Sequence, residues 1–198
     1  MAVDLKGTVY VVQKGEINLF EGSTGESIGK LTPAKRTSFD HLTIAADGSI
    51  YASGEMDQTQ VIVVFKNGKQ TRVIQDAFGE LEFGSNLDAL VVDGSGNIFV
   101  TVEHEKVIIK VSPDGKYVNR FGGKGNEAGL FQTMDDIAID GAGTIYANNI
   151  SGVEMFDTNG RYIDTFIKDP GGISGFVFDP KDQFYGVDRT KVVVYQPR

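Results

Sequence analysis

Asp135-Asp136-Ile137-Ala138-Ile139-Asp140-Gly141-Ala142-Gly143-Thr144-Ile145-Tyr146 carries the pattern that decides the fold. A short apolar run closes on Asp, a Gly-containing turn follows, and an apolar-aromatic pair opens the next run. Asp40 to Ala45 with Ile50-Tyr51 repeats this pattern, as does Asp88 to Asp93 with Ile98-Phe99. Ser174 to Asp179 with Phe184-Tyr185 is a weaker copy, and Met1 to Asp4 with Val9-Tyr10 reads as the tail of another. The aromatic members lie 41, 48, 47 and 39 residues apart, the period of a propeller blade.

Within each unit the apolar residues alternate with period two, as half-buried strands require. Third strands are expected at Ile17–Phe20, Val61–Phe65, Val107–Val111, Val153–Phe156 and Val192–Tyr195, and fourth strands at Glu26–Leu31, Gln70–Ile74, Tyr117–Phe121 and Tyr162–Ile167. Thr24-Gly25, Asn67-Gly68, Asp114-Gly115 and Asn159-Gly160 lie between them, and Gly after Asn or Asp suits the positive φ of a two-residue hairpin. The expectation is an all-β propeller of about five four-stranded antiparallel blades, in a single domain over 1–198. The blades divide near 1–36, 37–84, 85–131, 132–170 and 171–198. The first unit lacks the start of its inner strand, and the last stops after its third. That leaves three readings: a five-bladed ring without a clasp, an excerpt of a larger propeller, or an open array completed by a partner or by self-association.

Composition narrows the function classes. The 198 residues carry 19 Lys+Arg against 27 Asp+Glu, a net charge of −8, and 40% are hydrophobic. A core of ordinary size is affordable, and clustered cations for nucleic acid are missing. No apolar run approaches the length of a membrane span. Met1-Ala2-Val3-Asp4 has no basic or apolar leader character. Cysteine is absent, and His41 and His104 are the two histidines, too few for a three-histidine zinc site.

The segment Phe121-Gly122-Gly123-Lys124-Gly125-Asn126-Glu127-Ala128-Gly129-Leu130-Phe131, running on into Asp135 to Asp140, resembles an NHL repeat. Gly143 to Tyr146, Val153 to Asp157 and Asn159-Gly160 continue the resemblance. Phe39, Leu87 and Met134 replace that family's proline before the inner strand, and His41, Ala89 and Asp136 replace its glycine. The resemblance implies a non-catalytic binding or scaffold module for a protein or small ligand. Its alternative is a calcium-dependent, lactonase-like hydrolase of the related six-bladed propellers, and a further alternative is a structural subunit of an assembly. By analogy with bacterial NHL sensor domains, it also suggests an extracellular or periplasmic place.

Asp40, Asp88 and Asp135 stand at equivalent inner-strand entries, with Ser174 in the fourth copy. Such entries surround the channel mouth, so Asp40, His41, Asp88, Asp135 and Asp136 are the candidate ligand-binding residues. Converging carboxylates repel unless donors or a cation neutralise them, and hard oxygen ligands suit calcium. The lactonase resemblance places metal ligands at Asp40, Asp88, Asp135, Asn149 and Asp188. The competing reading makes each Asp a turn cap.

Three other features have plain structural readings. Asp93-Gly94-Ser95-Gly96-Asn97 is a turn, and Gly122 to Gly129 is a connector between blades. The recurring aromatics pack between blades. Phe78 and Phe83 lie in an acidic connector, as a partner anchor or as buried packing. His104 falls in a solvated loop without a serine motif.

Overall fold

A computed structural model describes residues 1–78, 81, 85–150, 152–168, 173–179, 181–188 and 190–195. The alternating runs form antiparallel sheets with sequential strand order. The first holds β1 (Ala2–Val3), β2 (Thr8–Gln13), β3 (Glu16–Glu21) and β4 (Ser27–Leu31). The second holds β5 (Ser38–Ile44), β6 (Ile50–Met56), β7 (Thr59–Lys66) and β8 (Lys69–Ile74). The third holds β9 (Leu90–Val92), β10 (Ile98–Val102), β11 (Val107–Val111) and β12 (Tyr117–Gly122). The fourth holds β13 (Ile137–Ile139), β14 (Ile145–Asn149), β15 (Gly152–Phe156) and β16 (Tyr162–Lys168). Three strands make the fifth among the described residues: β17 (Ile173–Phe178), β18 (Phe184–Asp188) and β19 (Lys191–Tyr195). A single 3-10 turn, Asp76–Phe78, is the helical element described.

The sheets are the blades of a five-blade propeller. Their first strands are neighbours in the order β1, β5, β9, β13, β17, so these line the axis. Antiparallel order then sends the connectors to one face, with the β2–β3-type turns, and the other hairpins to the opposite face.

Alternation gives every blade two apolar faces, and successive blades bury them together. Ile17, Leu42, Ile50 and Phe65 share the first seam; Ile62, Ile74, Leu90 and Ile109 the second. Phe99, Ile108, Ile137 and Phe156 build the third; Tyr146, Val153, Phe176 and Phe184 the fourth. Removing such area from water at about 25 cal/mol per Å² is what holds blade to blade. Phe78 is buried in the second seam, and Phe83 lies outside the described residues.

Hydrogen bonds stitch the hairpin face. Asp4 Oδ1 accepts the Lys6 and Thr8 N–H groups, each at 2.9 Å, and Tyr10 donates its hydroxyl to Oδ2. Asp140 does the same for Ala142, Thr144 and Tyr146, and Asp179 for Lys181, Gln183 and Tyr185. Asp93 caps Ser95 and Asn97 N–H, with the Asn97 amide donating where Phe99 has no hydroxyl. The Asp93–Asn97 segment is therefore a turn; Tyr10 and Tyr146 both pack in a seam and fasten their own hairpins, while Tyr51 packs and Tyr185 fastens. In the second blade Ala45 stands at the cap position, and Asp47 takes over, bonding Ser49 and Lys66. The Lys66 ammonium is the first cause that holds the Asp47 carboxyl at about 2, well below the usual range.

The outer hairpins differ from the expected two-residue turns. Only at Asn67-Gly68 do both central residues have positive φ (52° and 76°). At Gly25, Gly115 and Gly160 the glycine alone does, and the ladder shifts near the outer turn in all four of the four-stranded blades, the second included.

Candidate functional site at the channel mouth

The connector-face mouth is built from the inner-strand entries and from the ends of the second strands. In β5 the register steps from Phe39 to His41, so Asp40 is the extra residue of a bulge and its side chain is exposed. Ser174 occupies the same bulge position in β17. Gly54 lies opposite: a Cβ there would collide with the Ser38 carbonyl oxygen and reach the Phe39 Cα at 2.8 Å. The backbone carrying Asp40 and His41 thus presses directly on a glycine.

Asp88 is the electrostatic centre of the mouth. Burial pushes its carboxyl above the ordinary range, and the Glu103 N–H, donated to Oδ2 at 2.6 Å, pulls it back. The His41 imidazole also lowers it, while the Glu103 and Asp40 carboxylates raise it. Asp40 and His41 of the second blade and Glu103 of the third therefore all act on Asp88.

The fourth blade supplies a different arrangement. Asp136 spends its oxygens on backbone: Oδ1 accepts its neighbour Ile137 N–H at 2.9 Å and Oδ2 accepts Phe176 N–H at 2.8 Å. Burial nevertheless raises this carboxyl to about 6, against those two donors; Asp135 adds to the rise and the Met1 amino group opposes it. Asp135 is exposed. Asn148, buried, accepts the Asp135 and Asp136 N–H groups at 2.8 Å each, and its Nδ2 lies 3.4 Å from Asp135 Oδ2.

Sequence reasoning missed this polar layer. Ser53, Thr101 and Asn148 occupy one position in successive second strands, each buried and each bonded to inner-strand backbone. The signal was present in Tyr51-Ala52-Ser53, Phe99-Val100-Thr101 and Tyr146-Ala147-Asn148, where one polar residue interrupts an apolar run. Glu103 was also overlooked.

The predicted ligand set is brought together in part. Asp40 and Asp88 share one field with His41, and Asp135 adjoins Asp136. Asn149 is turned to structural use: its Oδ1 accepts Gln132 and Ile150 N–H, and its Nδ2 donates to Leu130 O at 2.9 Å, tying down the connector. Asp188 pairs in the ladder with Ile173 and Lys191. Among the described residues no three His, Asp or Glu side chains converge as a metal centre.

His104 does not stand alone in its loop. Ser85 Oγ lies 3.4 Å from His104 Nδ1 and donates to Glu105 Oε1 at 2.9 Å, and Arg120 reaches Glu105 Oε2 at 3.3 Å. This cluster pins the connector entering the third blade to that blade's own edge. No helix of the described residues is long and apolar enough to cross a membrane.

No protein-family model matches the sequence, and no curated protein sequence matches it. Solved structures do. A gluconolactonase from Xanthomonas campestris superposes with a TM-score of 0.71 at 16% identity, over 100% of this chain and 71% of that one. Virginiamycin B lyase from Staphylococcus aureus gives 0.70 at 14%, over 98% and 68%. A catalytically inactive histidine-to-alanine form of that lyase, solved with quinupristin, gives 0.69 at 15%, over the same shares. The protein thus shares its β-propeller fold with lactonase- and virginiamycin B lyase-type propellers.

Proposed function

We propose that the protein is a ring-opening enzyme for a cyclic ester, acting at the channel mouth with Asp88 and His41 as its proton-handling pair. The observation that carries this reading is the half-buried Asp88 carboxylate at the mouth, held by the Glu103 N–H at 2.6 Å and acted on by the charges of exposed Asp40, His41 and Glu103. A half-buried carboxylate beside an imidazole is the pairing that general-base chemistry uses. His41 takes a proton from water, and the water oxygen bonds the ester carbonyl carbon. The acyl–oxygen bond then breaks, and the proton passes to the leaving ring oxygen, giving a hydroxy acid. Asp88 steadies the imidazolium that forms between the two transfers. Exposed Asp40 and Asp135 offer acceptors to substrate hydroxyls, and the net charge of −8 disfavours anionic substrates. A polyhydroxylated lactone suits both conditions.

The similar structures support this reading, since they include a gluconolactonase and a lyase inactivated by loss of one histidine. Calcium is what the resemblance implies; among the described residues no three acidic or histidine side chains converge to hold it. The competing reading is a module that binds at the same mouth without turnover, and the exposure of His41 favours it.

A pH-stat assay on sugar and aliphatic lactones, run beside calorimetric binding, separates the two. Ring opening that falls about 100-fold or more in both His41→Ala and Asp88→Asn, with folding intact, supports catalysis. A lactone that binds at the mouth but is never opened overturns the enzyme and leaves the module.

A further inference from the structure

We propose that Asn67 is a self-modification site, where the folded chain converts asparagine to aspartate and isoaspartate without an enzyme, and that the fold shields Asn159 from the same reaction. Asn67-Gly68 and Asn159-Gly160 are the two Asn-Gly pairs of the sequence. In such a pair the attacking glycine nitrogen has no Cβ beside it to hinder ring closure. It gives its proton to hydroxide and bonds the asparagine Cγ; ammonia leaves, and a cyclic imide forms. Water then opens the imide at either carbonyl. The sum is asparagine plus water to a carboxylic acid plus ammonia.

The two pairs stand at equivalent outer hairpins but in different turns. Asn67 and Gly68 are the whole of a two-residue loop between Lys66 and Lys69, which pair across the ladder, and both have positive φ. Among the described residues nothing accepts the Gly68 N–H, and nothing bonds the Asn67 side-chain amide. Both residues are exposed, and a methyl group on Gly68 would meet no atom within 4 Å. The reacting atoms are therefore open to each other and to water.

Asn159 is tied down instead. Its N–H donates to Asp157 Oδ1 at 2.9 Å, and its carbonyl accepts the Asn119 amide at 2.9 Å. The attacking group itself, the Gly160 N–H, donates to Asp157 O at 2.9 Å. The Phe121 ring covers this glycine so closely that a Cβ on it would lie 2.3 Å from Cδ1. Attack at Asn159 needs the whole turn to open first, whereas attack at Asn67 needs only the rotation of an exposed loop. The product at Asn67 also has a local consequence. Its new carboxylate stands beside Lys66, whose ammonium binds Asp47 Oδ2 at 2.6 Å, and competes for that cation.

The test ages the full chain in mildly alkaline buffer and maps its peptides by mass spectrometry, with electron-transfer fragmentation to tell isoaspartate from aspartate. Asn67 should convert at least about fivefold faster than Asn159, the factor that one net hydrogen bond sets. In urea, which opens both turns, the two rates should come together. Asn67→Gly keeps the positive φ of the turn, and it should remove most of the methyl groups that an isoaspartyl methyltransferase adds to aged protein. Equal rates in the folded chain, or an Asn67 that stays intact, overturn the proposal. A gap of about fivefold that survives in urea does so too, because the fold would not be its cause. So does an Asn67→Gly variant that accepts as much methyl as the wild type.

Discussion

Asp136 Oδ2 accepts the Phe176 N–H at 2.8 Å, so a carboxyl on the entry of the fourth blade holds the inner strand of the fifth. The same carboxyl titrates near 6 because burial disfavours its charge. Its folded state therefore keeps a proton between about pH 4 and 6 that the unfolded chain has released. Stability from this group is full below pH 4 and is lost as pH rises through 6. Chemical denaturation across pH 4 to 7 should show a fall of up to about 3 kcal/mol assignable to this group. Asp136→Asn should flatten that step. An unchanged pH profile in the variant would refute the assignment.

Tyr146 tests the hairpin fastening. It is buried, and its hydroxyl donates to Asp140 Oδ2 at 3.1 Å. Burial, then the Asp140 charge, pushes its phenol well above the ordinary range. Tyr146→Phe should cost about 1 kcal/mol in a urea melt, the net worth of one hydrogen bond. Asp140→Ala should cost about twice that or more, because the Ala142 and Thr144 N–H groups lose their acceptor too. Equal costs would show that the phenol matters more than the cap.

Gly54 controls the mouth from behind. A methyl group there meets Ser38 and Phe39 backbone, which cannot rotate away as a side chain can. Gly54→Ala should destabilise the fold by about 3 kcal/mol, the upper range for overpacking. If the domain still folds, the displaced entry should also weaken any lactone turnover that depends on His41. A variant with wild-type stability and rate would show that β5 yields freely.

Calcium addresses the donor geometry. A ligand that binds only the folded state raises the melting temperature as its concentration grows. With Asn149 committed to backbone and no three ligating acids together among the described residues, millimolar calcium should leave the Tm unchanged. A rise of several degrees, reversed by a chelator, would show that the mouth rearranges around the ion.

The blade architecture was legible in the chain because strand alternation and turn chemistry are local. Val9-Tyr10 and its counterparts mark the second strands, and Asn67-Gly68 forms the two-residue turn its residues suit. The turns at Gly115 and Gly160 differ from it in having positive φ at the glycine alone, a choice that depends on how the paired strands meet. The site was legible only in outline. Asp40, Asp88 and Asp135 look equivalent in the repeat, yet Asp88 is partly buried and Asp40 and Asp135 are exposed.

Local pattern in the chain set the number of repeating units, their all-β character and the ring of entries where polar side chains gather. Tertiary structure alone decided what each polar side chain does there. Asp136 reaches the next blade's backbone, Asn149 the connector, and Asp88 feels the charge of His41 from the blade before it. Those partners lie 40, 19 and 47 residues away along the chain. A carboxyl's charge depends on burial and on the nearest donor, and both are set only when separate blades meet.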